Sequence, residues 1–323
     1  MPADALVIGI DLGGTKITTG LVECSGRLLA RDYRETLAVH GPEAVIARML
    51  DAVHTVLAQA GIGKEQVAAL GVGSPGPLDI GAGVVVSPPN LPGWERVPLR
   101  QRLQDALGIP TFLENDANAA ALGEYRFGAG QGCQHMVYVT ASTGIGGGLI
   151  LNGALYHGAS DLAGEIGHMT ILAGGPLCGC GNRGCLEALA SGTAIARRAR
   201  ESVARGVPTR IADLAEGQPE RISARLVAQA AAEGDAEAQA ILAEAMNYLG
   251  IGMANLANLF NPQRIVIGGG LTNLGEALFE PVRRAIVRHA FRSAAEAVRV
   301  IPAGLGENVG VLGAAAVALA AVG

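Results

Sequence analysis

Twice in this sequence a short apolar run breaks on glycines and then resumes. Ala5–Ile10 lead into Asp11-Leu12-Gly13-Gly14-Thr15, and Ile17–Val22 take the apolar pattern up again. Met136–Thr140 precede Thr143-Gly144-Ile145-Gly146-Gly147, and Gly148–Leu151 follow. Apolar runs of this length, bounded by glycine turns, read as buried strands joined by tight hairpins. Each half of the chain thus opens with strand, glycine turn and strand. The letters differ between the halves, so this is a structural echo and not a sequence repeat.

The rest of the chain interleaves strands and helices. Cys24-Ser25-Gly26 makes a second turn before a strand over Arg27–Arg34. Pro42–Ala60 carries apolar residues at helical spacing (Val45, Ile46, Met49, Val53, Val56, Leu57). A strand over Val67–Val72 ends in Gly73-Ser74-Pro75-Gly76-Pro77, and a helix over Leu99–Leu107 precedes a short strand, Thr111–Glu114. Asn118–Phe127 reads as helix, and Asn152-Gly153 as a hairpin turn. Helices are expected at roughly 193–205, 223–233 and 236–259, then over Glu276–His289 and Val309–Ala321. Strands are expected over Arg264–Ile267 and Val298–Pro302. Residues 206–220 are the most polar stretch and are expected to form a mobile loop. This order indicates α/β layers, and 323 residues suffice for two domains of ordinary size.

Composition excludes several classes of function. Half the residues are hydrophobic but only 3% are aromatic, so the core is built from Ala, Val, Leu and Ile. A net charge of −5 with no basic block argues against nucleic acid, whose phosphates need clustered Lys and Arg. The apolar run after Met-Pro-Ala-Asp lacks a basic start and is too short for an export signal. The Ala-rich end from Leu312 to Gly323 falls short of a membrane span. Five cysteines, three of them clustered, make no disulfide framework, and a reducing cytoplasm is the expected setting.

The cysteine cluster is the most specific signal. His168, Cys178, Cys180 and Cys185 stand at the spacing His-x9-Cys-x-Cys-x4-Cys, with Glu165 and Glu187 just outside. Four N/S ligands make a closed tetrahedral zinc site, which is structural. Three buried free cysteines would be the bland reading, and the glycines between them argue against it. If one nitrogen of His168 binds metal, the other is fixed as a donor in one direction, and Glu165 can share its target.

The glycine loops offer phosphate chemistry. In Asp11-Leu12-Gly13-Gly14-Thr15-Lys16, backbone N–H groups can converge on an anion, Thr15 adds a hydroxyl, and Asp11 can hold a hydrated Mg²⁺. The alternative is an ordinary hairpin turn. Thr143, Gly144 and Gly146 repeat the same chemistry, and two such loops can grip a polyphosphate across a cleft. Gly268-Gly269-Gly270 follows an apolar strand and suits close approach to adenine or ribose. Two apparent dinucleotide fingerprints, at Gly71–Gly76 and Gly179–Gly184, lack the strand-to-helix setting and are rejected. Asp116, in Glu114-Asn115-Asp116-Ala117-Asn118, is either a helix N-cap or a general base.

Together these residues resemble the ROK family of repressors and sugar kinases, and within it the bacterial glucokinases. The matching stretches are Asp11–Lys16, Ser74–Pro77, Asn90–Trp94, Glu114–Glu124, Ser142–Gly148, Gly164–His168, Cys178–Glu187 and Gly268–Gly270. The resemblance implies the actin-like ATPase (ribonuclease H-like) fold: two α/β domains with the active site in the cleft between them. A smaller N-terminal domain (1–117 plus 304–323) and a larger one carrying the zinc site (118–303) are expected. Asp116 looks like the catalytic base. Gly76, Asn90, Asn115, Asp116, Glu165, His168 and Glu187 look like the sugar-binding set. Asp11, Gly13, Gly14, Thr15, Lys16, Thr143, Gly144, Gly146, Gly268, Gly269 and Gly270 look like the ATP site, with Mg²⁺ accompanying the nucleotide and Lys16 in a minor role. A homodimer or higher homo-oligomer is implied.

The first expectation is therefore an ATP-dependent kinase acting on glucose. N-acetylmannosamine, N-acetylglucosamine and fructose remain open as acceptors, and polyphosphate as donor. A sugar-responsive repressor would need a DNA-reading winged helix, and the first phosphate strand starts within ten residues of Met1. A catalytically idle sugar-binding protein is the third reading, and an intact Asp116 with intact loops argues against it. Cys24 and Cys133 read as small core residues, and His40, His54, His135, His157 and His289 receive no role.

Overall fold

A computed structural model describes residues 5–323; Met1-Pro2-Ala3-Asp4, read above for an export signal, lie outside the described residues. The chain begins with an antiparallel meander, β1 (Leu6–Leu12), β2 (Lys16–Glu23) and β3 (Leu28–Glu35). Helix α1 (Gly41–Ala60) follows, with proline in its first turn and Gly61 left-handed at its end. Next come β4 (Val67–Ser74), the short pair β5 (Leu78–Asp79) and β6 (Val84–Val85), α2 (Leu99–Leu107), β7 (Thr111–Asn115) and α3 (Asp116–Phe127). Then β8 (Met136–Ala141), β9 (Ile145–Leu151) and β10 (Ala154–Leu155) appear, with Asn152 and Gly153 both at positive φ in the predicted hairpin turn. Helices α4 (Leu186–Ala190), α5 (Gly192–Ala204), α6 (Arg210–Leu214), α7 (Ala224–Ala232) and α8 (Ala236–Phe260) lead to β11 (Arg264–Gly268). The chain closes with α9 (Glu276–His289), α10 (Arg292–Ala297), β12 (Arg299–Pro302) and α11 (Val309–Val322).

The echo in the sequence is an echo in topology. One sheet is ordered β3-β2-β1-β4-β7 and the other β10-β9-β8-β11-β12. Position by position the two orders match. In the first, β1, β4 and β7 run parallel; in the second, β8, β11 and β12 do.

The chain forms two compact units. The first runs through Gly132 and includes Gly148–Ala163 and Ala303–Gly323; the second comprises Cys133–Gly147 and Gly164–Pro302. The C-terminal helix rejoins the first unit. The boundary differs from the expected one after residue 117, because α3 stays with the first unit, which becomes the larger. The physical reason is close packing on α11: a Cβ at Gly123 would lie 2.8 Å from the Gly313 Cα, and one at Gly313 would lie 2.5 Å from the Ala119 carbonyl oxygen. The β9–β10 hairpin crosses back to the first unit after Gly147.

In the first unit the sheet buries both faces. Ile8, Ile10 and Leu12 pack with Val45, Met49 and Val53 of α1 and Leu99 and Leu103 of α2. Val7 and Ala69 face Val311, Ala315 and Leu319 of α11 on the other side. A helix of Ala and Val sits close to the strands because Gly9 and Gly71 carry no side chain there; a Cβ at Gly71 would lie 1.9 Å from the Ala314 carbonyl oxygen. Small residues therefore do what aromatic ones do in other cores.

In the second unit β8 and β11 are buried along their length, through Met136–Val139 and Ile265–Ile267. The expected mobile loop over 206–220 is instead structured. Thr209 caps α6 by accepting from the Ile211 N–H, and Ile211 is fully buried. Asp235, the cap of α8, also accepts from the Thr209 hydroxyl at 3.0 Å and the Arg210 N–H at 2.7 Å. One polar residue of this stretch, Thr209, is thus a cap, tied to a second cap beyond it. Among the described residues no helix is long and apolar enough to cross a membrane.

Candidate functional site

In the second unit the predicted metal set closes on itself. The ligand atoms of His168, Cys178, Cys180 and Cys185 all lie within 4.8 Å of one another. Cys180 Sγ and Cys185 Sγ are 3.7 Å apart, and Cys178 Sγ is 3.7 Å from His168 Nδ1. A disulfide needs an S–S distance of about 2 Å. Zinc–sulfur bonds of about 2.3 Å at tetrahedral angles put neighbouring donors about 3.6–3.8 Å apart, which is the spacing found. The cluster is built by a hairpin. Cys178 N–H donates to the Asn182 carbonyl at 2.8 Å, and Leu177 pairs with Arg183. Gly184, at φ +72, lets the return strand press on Leu172, where a Cβ would lie 1.7 Å from the Leu172 carbonyl oxygen.

The thiols are poorly suited to one another without a cation. Burial, then the neighbouring Cys180 and Cys178, push the Cys185 thiol up to about 12. Burial likewise raises Cys178, while the Asn182 backbone N–H lowers Cys180. A divalent cation reverses this by favouring the thiolates. Spacing and charge both fit zinc.

The acidic residues that flank the cluster lie close to it, Glu165 exposed and Glu187 half-buried. His168 Nε2 lies 3.9 Å from Glu165 Oε2, so Nδ1 turns to the thiols and Nε2 to Glu165. The turn from Gly164 to His168 presses against the start of β9: a Cβ at Gly167 would lie 2.0 Å from the Ile145 carbonyl oxygen. Glu187, in the first turn of α4, accepts from the Ile145 N–H at 2.9 Å. The two segments that carry the second unit's predicted sugar residues therefore converge on Ile145, next to the glycine loop.

That loop is shorter than expected. β9 begins at Ile145, so Gly146 and Gly147 lie in the strand. Gly147 is glycine because Ile166 packs there, 2.2 Å from where a Cβ would stand. The loop proper is Ser142-Thr143-Gly144, with Ser142 N–H donating to the Gly144 carbonyl at 2.9 Å. Beside it lies a cavity of about 530 Å³ lined by Ser142, Thr143, Gly192, Thr193, Arg200 and Gly270 among others. Gly269, at φ +87, lies against Ala141, and Gly268 ends β11. The second and third predicted glycine runs thus meet at one cavity.

The first unit gathers the remaining residues at the ends of β1, β4 and β7. Gly13 N–H donates to the Lys16 carbonyl at 2.9 Å, closing the turn between β1 and β2. Thr15 and Lys16 are exposed on it. Gly14 backs onto Asn90, whose Cβ and carbonyl oxygen lie 2.8 Å from where a Cβ would stand. Burial raises the Asp11 carboxyl, and Lys16 partly offsets this. Gly76, just beyond β4, lies against Asn115: a Cβ on that glycine would stand 3.6 Å from Asn115 Nδ2.

At the β7–α3 junction Asp116 is not the helix cap. The cap is Asn115, whose Oδ1 accepts from the N–H groups of Ala117 at 2.9 Å and Asn118 at 3.3 Å. Asp116 is the first helical residue, exposed, with Oδ1 accepting from the Ala117 N–H at 2.8 Å. Behind them Glu114 is buried, accepting from the Asn115 N–H at 2.8 Å, Asn118 Nδ2 at 3.0 Å and His157 Nε2 at 2.7 Å. His157, given no role above, therefore anchors the buried carboxylate beneath Asp116. The hydrogen bond to Glu114 raises its pKa against the opposing effect of burial. No spacing in the sequence links residues 114 and 157.

The sequence profile of the ROK family matches residues 7–321. A glucokinase of Thermotoga maritima is 40% identical over 311 residues, covering 96% of each chain. The solved ROK hexokinase of Thermus thermophilus is 40% identical with a TM-score of 0.83, over 98% of this chain and 99% of that one. A ROK glucokinase of Streptomyces griseus, solved with glucose and AMPPNP, is 36% identical with a TM-score of 0.81, over 98% of this chain and 100% of that one.

Proposed function

The chain belongs to the ROK family and has the actin-like ATPase fold, and from that premise we propose that it is a sugar kinase that transfers a phosphoryl group from ATP to the 6-hydroxyl of glucose. The observation that carries the reading is the β7–α3 junction: Asn115 serves as the cap, and the exposed Asp116 carboxylate stands at the positive end of a helix. An exposed carboxylate there can accept a hydrogen bond from an alcohol and then its proton. The glucokinase relatives and the AMPPNP and glucose complex support the same reading.

In this mechanism Asp116 accepts the hydrogen bond of the 6-hydroxyl. It takes the proton as the oxygen attacks the terminal phosphorus of MgATP. Asn90, Asn115 and Gly76 in the first unit, and Glu165, His168 and Glu187 in the second, are the residues we assign to contacts with sugar hydroxyls. A carboxylate can accept from two neighbouring hydroxyls, and His168 Nε2 donates in a fixed direction. The turns at Asp11–Lys16 and Ser142–Gly144 offer backbone N–H groups to phosphates, and the cavity beside Gly270 takes the base and ribose. Asp11 is the carboxylate that would meet the nucleotide's magnesium. Zinc on His168, Cys178, Cys180 and Cys185 would supply a rigid clip. A reducing cytoplasm keeps those thiols available, and the assembly we infer is a homodimer.

The test is a panel of glucose, fructose, N-acetylmannosamine and N-acetylglucosamine, each with MgATP or polyphosphate, ranked by kcat/KM. Glucose with ATP should lead. Another hexose in first place would move the substrate assignment and keep the kinase. Silence across the panel, with sugar still bound, would replace the kinase by a sugar-binding protein.

A further inference from the structure

We propose that metal occupancy at the Cys/His cluster sets the affinity of the nucleotide site, transmitted through the segment from Cys185 to Thr193; this rests on the reading of the Ser142 cavity as that site. Cys185 is both a predicted metal ligand and the residue that caps α4. From there the chain runs through α4 and Ser191 into α5, meeting the loop or its flank at Glu187, Gly192 and Thr193.

Glu187 accepts from the Ile145 N–H at 2.9 Å. Gly192 N–H donates to the Ser142 carbonyl at 2.8 Å. Thr193 donates to the Thr143 carbonyl from its N–H at 3.2 Å and from its hydroxyl at 2.8 Å. Ser191, fully buried, fixes the corner between the helices by accepting from the Ala194 N–H at 3.1 Å. Fit is tight on the loop side too. A Cβ at Gly144 would lie 2.5 Å from Glu187 Oε2, and one at Gly192 would lie 2.9 Å from the Ser142 carbonyl oxygen. Ser142, Thr143, Gly192 and Thr193 all line the cavity.

The start of the segment is held by Leu186, fully buried against Gly252 of α8, and by two ties that lead back to the metal site. α4 is five residues long, too short to be stable alone. Its N-terminus is tied by the Leu186 N–H to the Met169 carbonyl at 2.9 Å and by the pairing of Thr170 with Cys185. Both ties come from the two residues that follow His168, another predicted ligand. Metal binding fixes both sides of that pairing, so its loss loosens Glu187 and the loop together. Glu187 is then a positioning residue for the nucleotide loop besides its proposed contact with sugar.

The experiment is AMPPNP binding by calorimetry without sugar, with metal content measured on each sample and folding checked by circular dichroism. Wild type would be compared zinc-loaded, stripped by chelator and reloaded, beside Glu187→Ala and Glu187→Gln. Stripping and Glu187→Ala should each weaken binding about tenfold, the scale of one or two net hydrogen bonds. Reloading should restore it. Glu187→Gln should stay within about twofold, because an amide oxygen still accepts from Ile145. Equal affinity in loaded and stripped protein, or in wild type and Glu187→Ala, overturns the coupling and leaves the kinase reading intact. Zinc-loaded wild type that binds no AMPPNP overturns both.

Discussion

Asn115 and Asp116 are adjacent in the chain but do separable work, and the separation is measurable. Asn115→Ala removes the oxygen that accepts from Ala117 at 2.9 Å and Asn118 at 3.3 Å. Losing an N-cap acceptor costs about 1 kcal/mol. At roughly 2–4 °C per kcal/mol for units of this size, Tm should fall by about that much. Asp116→Asn keeps the cap and an oxygen for the Ala117 N–H. Its stability loss is the charge at the helix end, about 0.3–1 kcal/mol, so Tm should move by at most about 4 °C. Turnover should separate them the other way. Removing a general base should lower kcat by about 10²–10⁴ for Asp116→Asn, with glucose affinity held within a few fold. Asn115→Ala should mainly raise the KM for glucose. Coupled ADP release, glucose calorimetry and thermal unfolding on the same preparations decide it. A kcat for Asp116→Asn within about threefold of wild type would refute the base, and an unmoved Tm for Asn115→Ala would refute the cap.

Cys180→Ser should abolish stoichiometric zinc and weaken glucose binding; elemental analysis with calorimetry reads both, and retained zinc would show that three donors suffice. Glu124 is fully buried and accepts from the N–H groups of Ala129, Gly304 and Leu305 at 2.8–2.9 Å. Glu124→Ala removes the acceptor for three part-buried N–H groups and should cost about 3 kcal/mol by chemical denaturation, at about 1 kcal/mol net for each bond. His157 binds its proton more tightly when folded, so its pairing with Glu114 stabilises fully below about pH 6.5 and fades as pH rises through the higher folded value. The Tm gap between wild type and His157→Ala should therefore narrow from pH 6 to pH 9, and a gap constant with pH would count against a charged pair.

The framework of the fold was legible because it rests on local signals. Helices α2 and α9 begin and end where apolar spacing placed them, at Leu99–Leu107 and Glu276–His289. The doubled strand–turn–strand device became two sheets of the same strand order. What was not legible depends on contacts far apart in the chain. The place of α3 is set by Gly123 meeting Gly313, and residues 206–220 are ordered by caps whose partner is Asp235. Neither contact leaves a periodic mark.

The site divides along the same line, and the glycines show why. A run of glycines permits two different things: N–H groups that turn toward an anion, or a backbone that another element can approach closely. From letters alone Gly144, Gly146 and Gly147 are equivalent. In the structure they are not. Gly147 makes room for Ile166 and Gly144 for Glu187, so both serve to seat the metal-bearing segment against β9. A side chain at 144 would therefore displace the Glu187 carboxylate, besides facing any phosphate. That double demand is what makes the loop sensitive to the cluster. A glycine needed only for phosphate would tolerate a shifted Glu187, whereas here the carboxylate fills the space a side chain would take. Gly144→Ala should then weaken nucleotide binding in wild type and do much less in Glu187→Ala, where the space is empty. Equal effects in both backgrounds would mean that the glycine answers to the nucleotide alone.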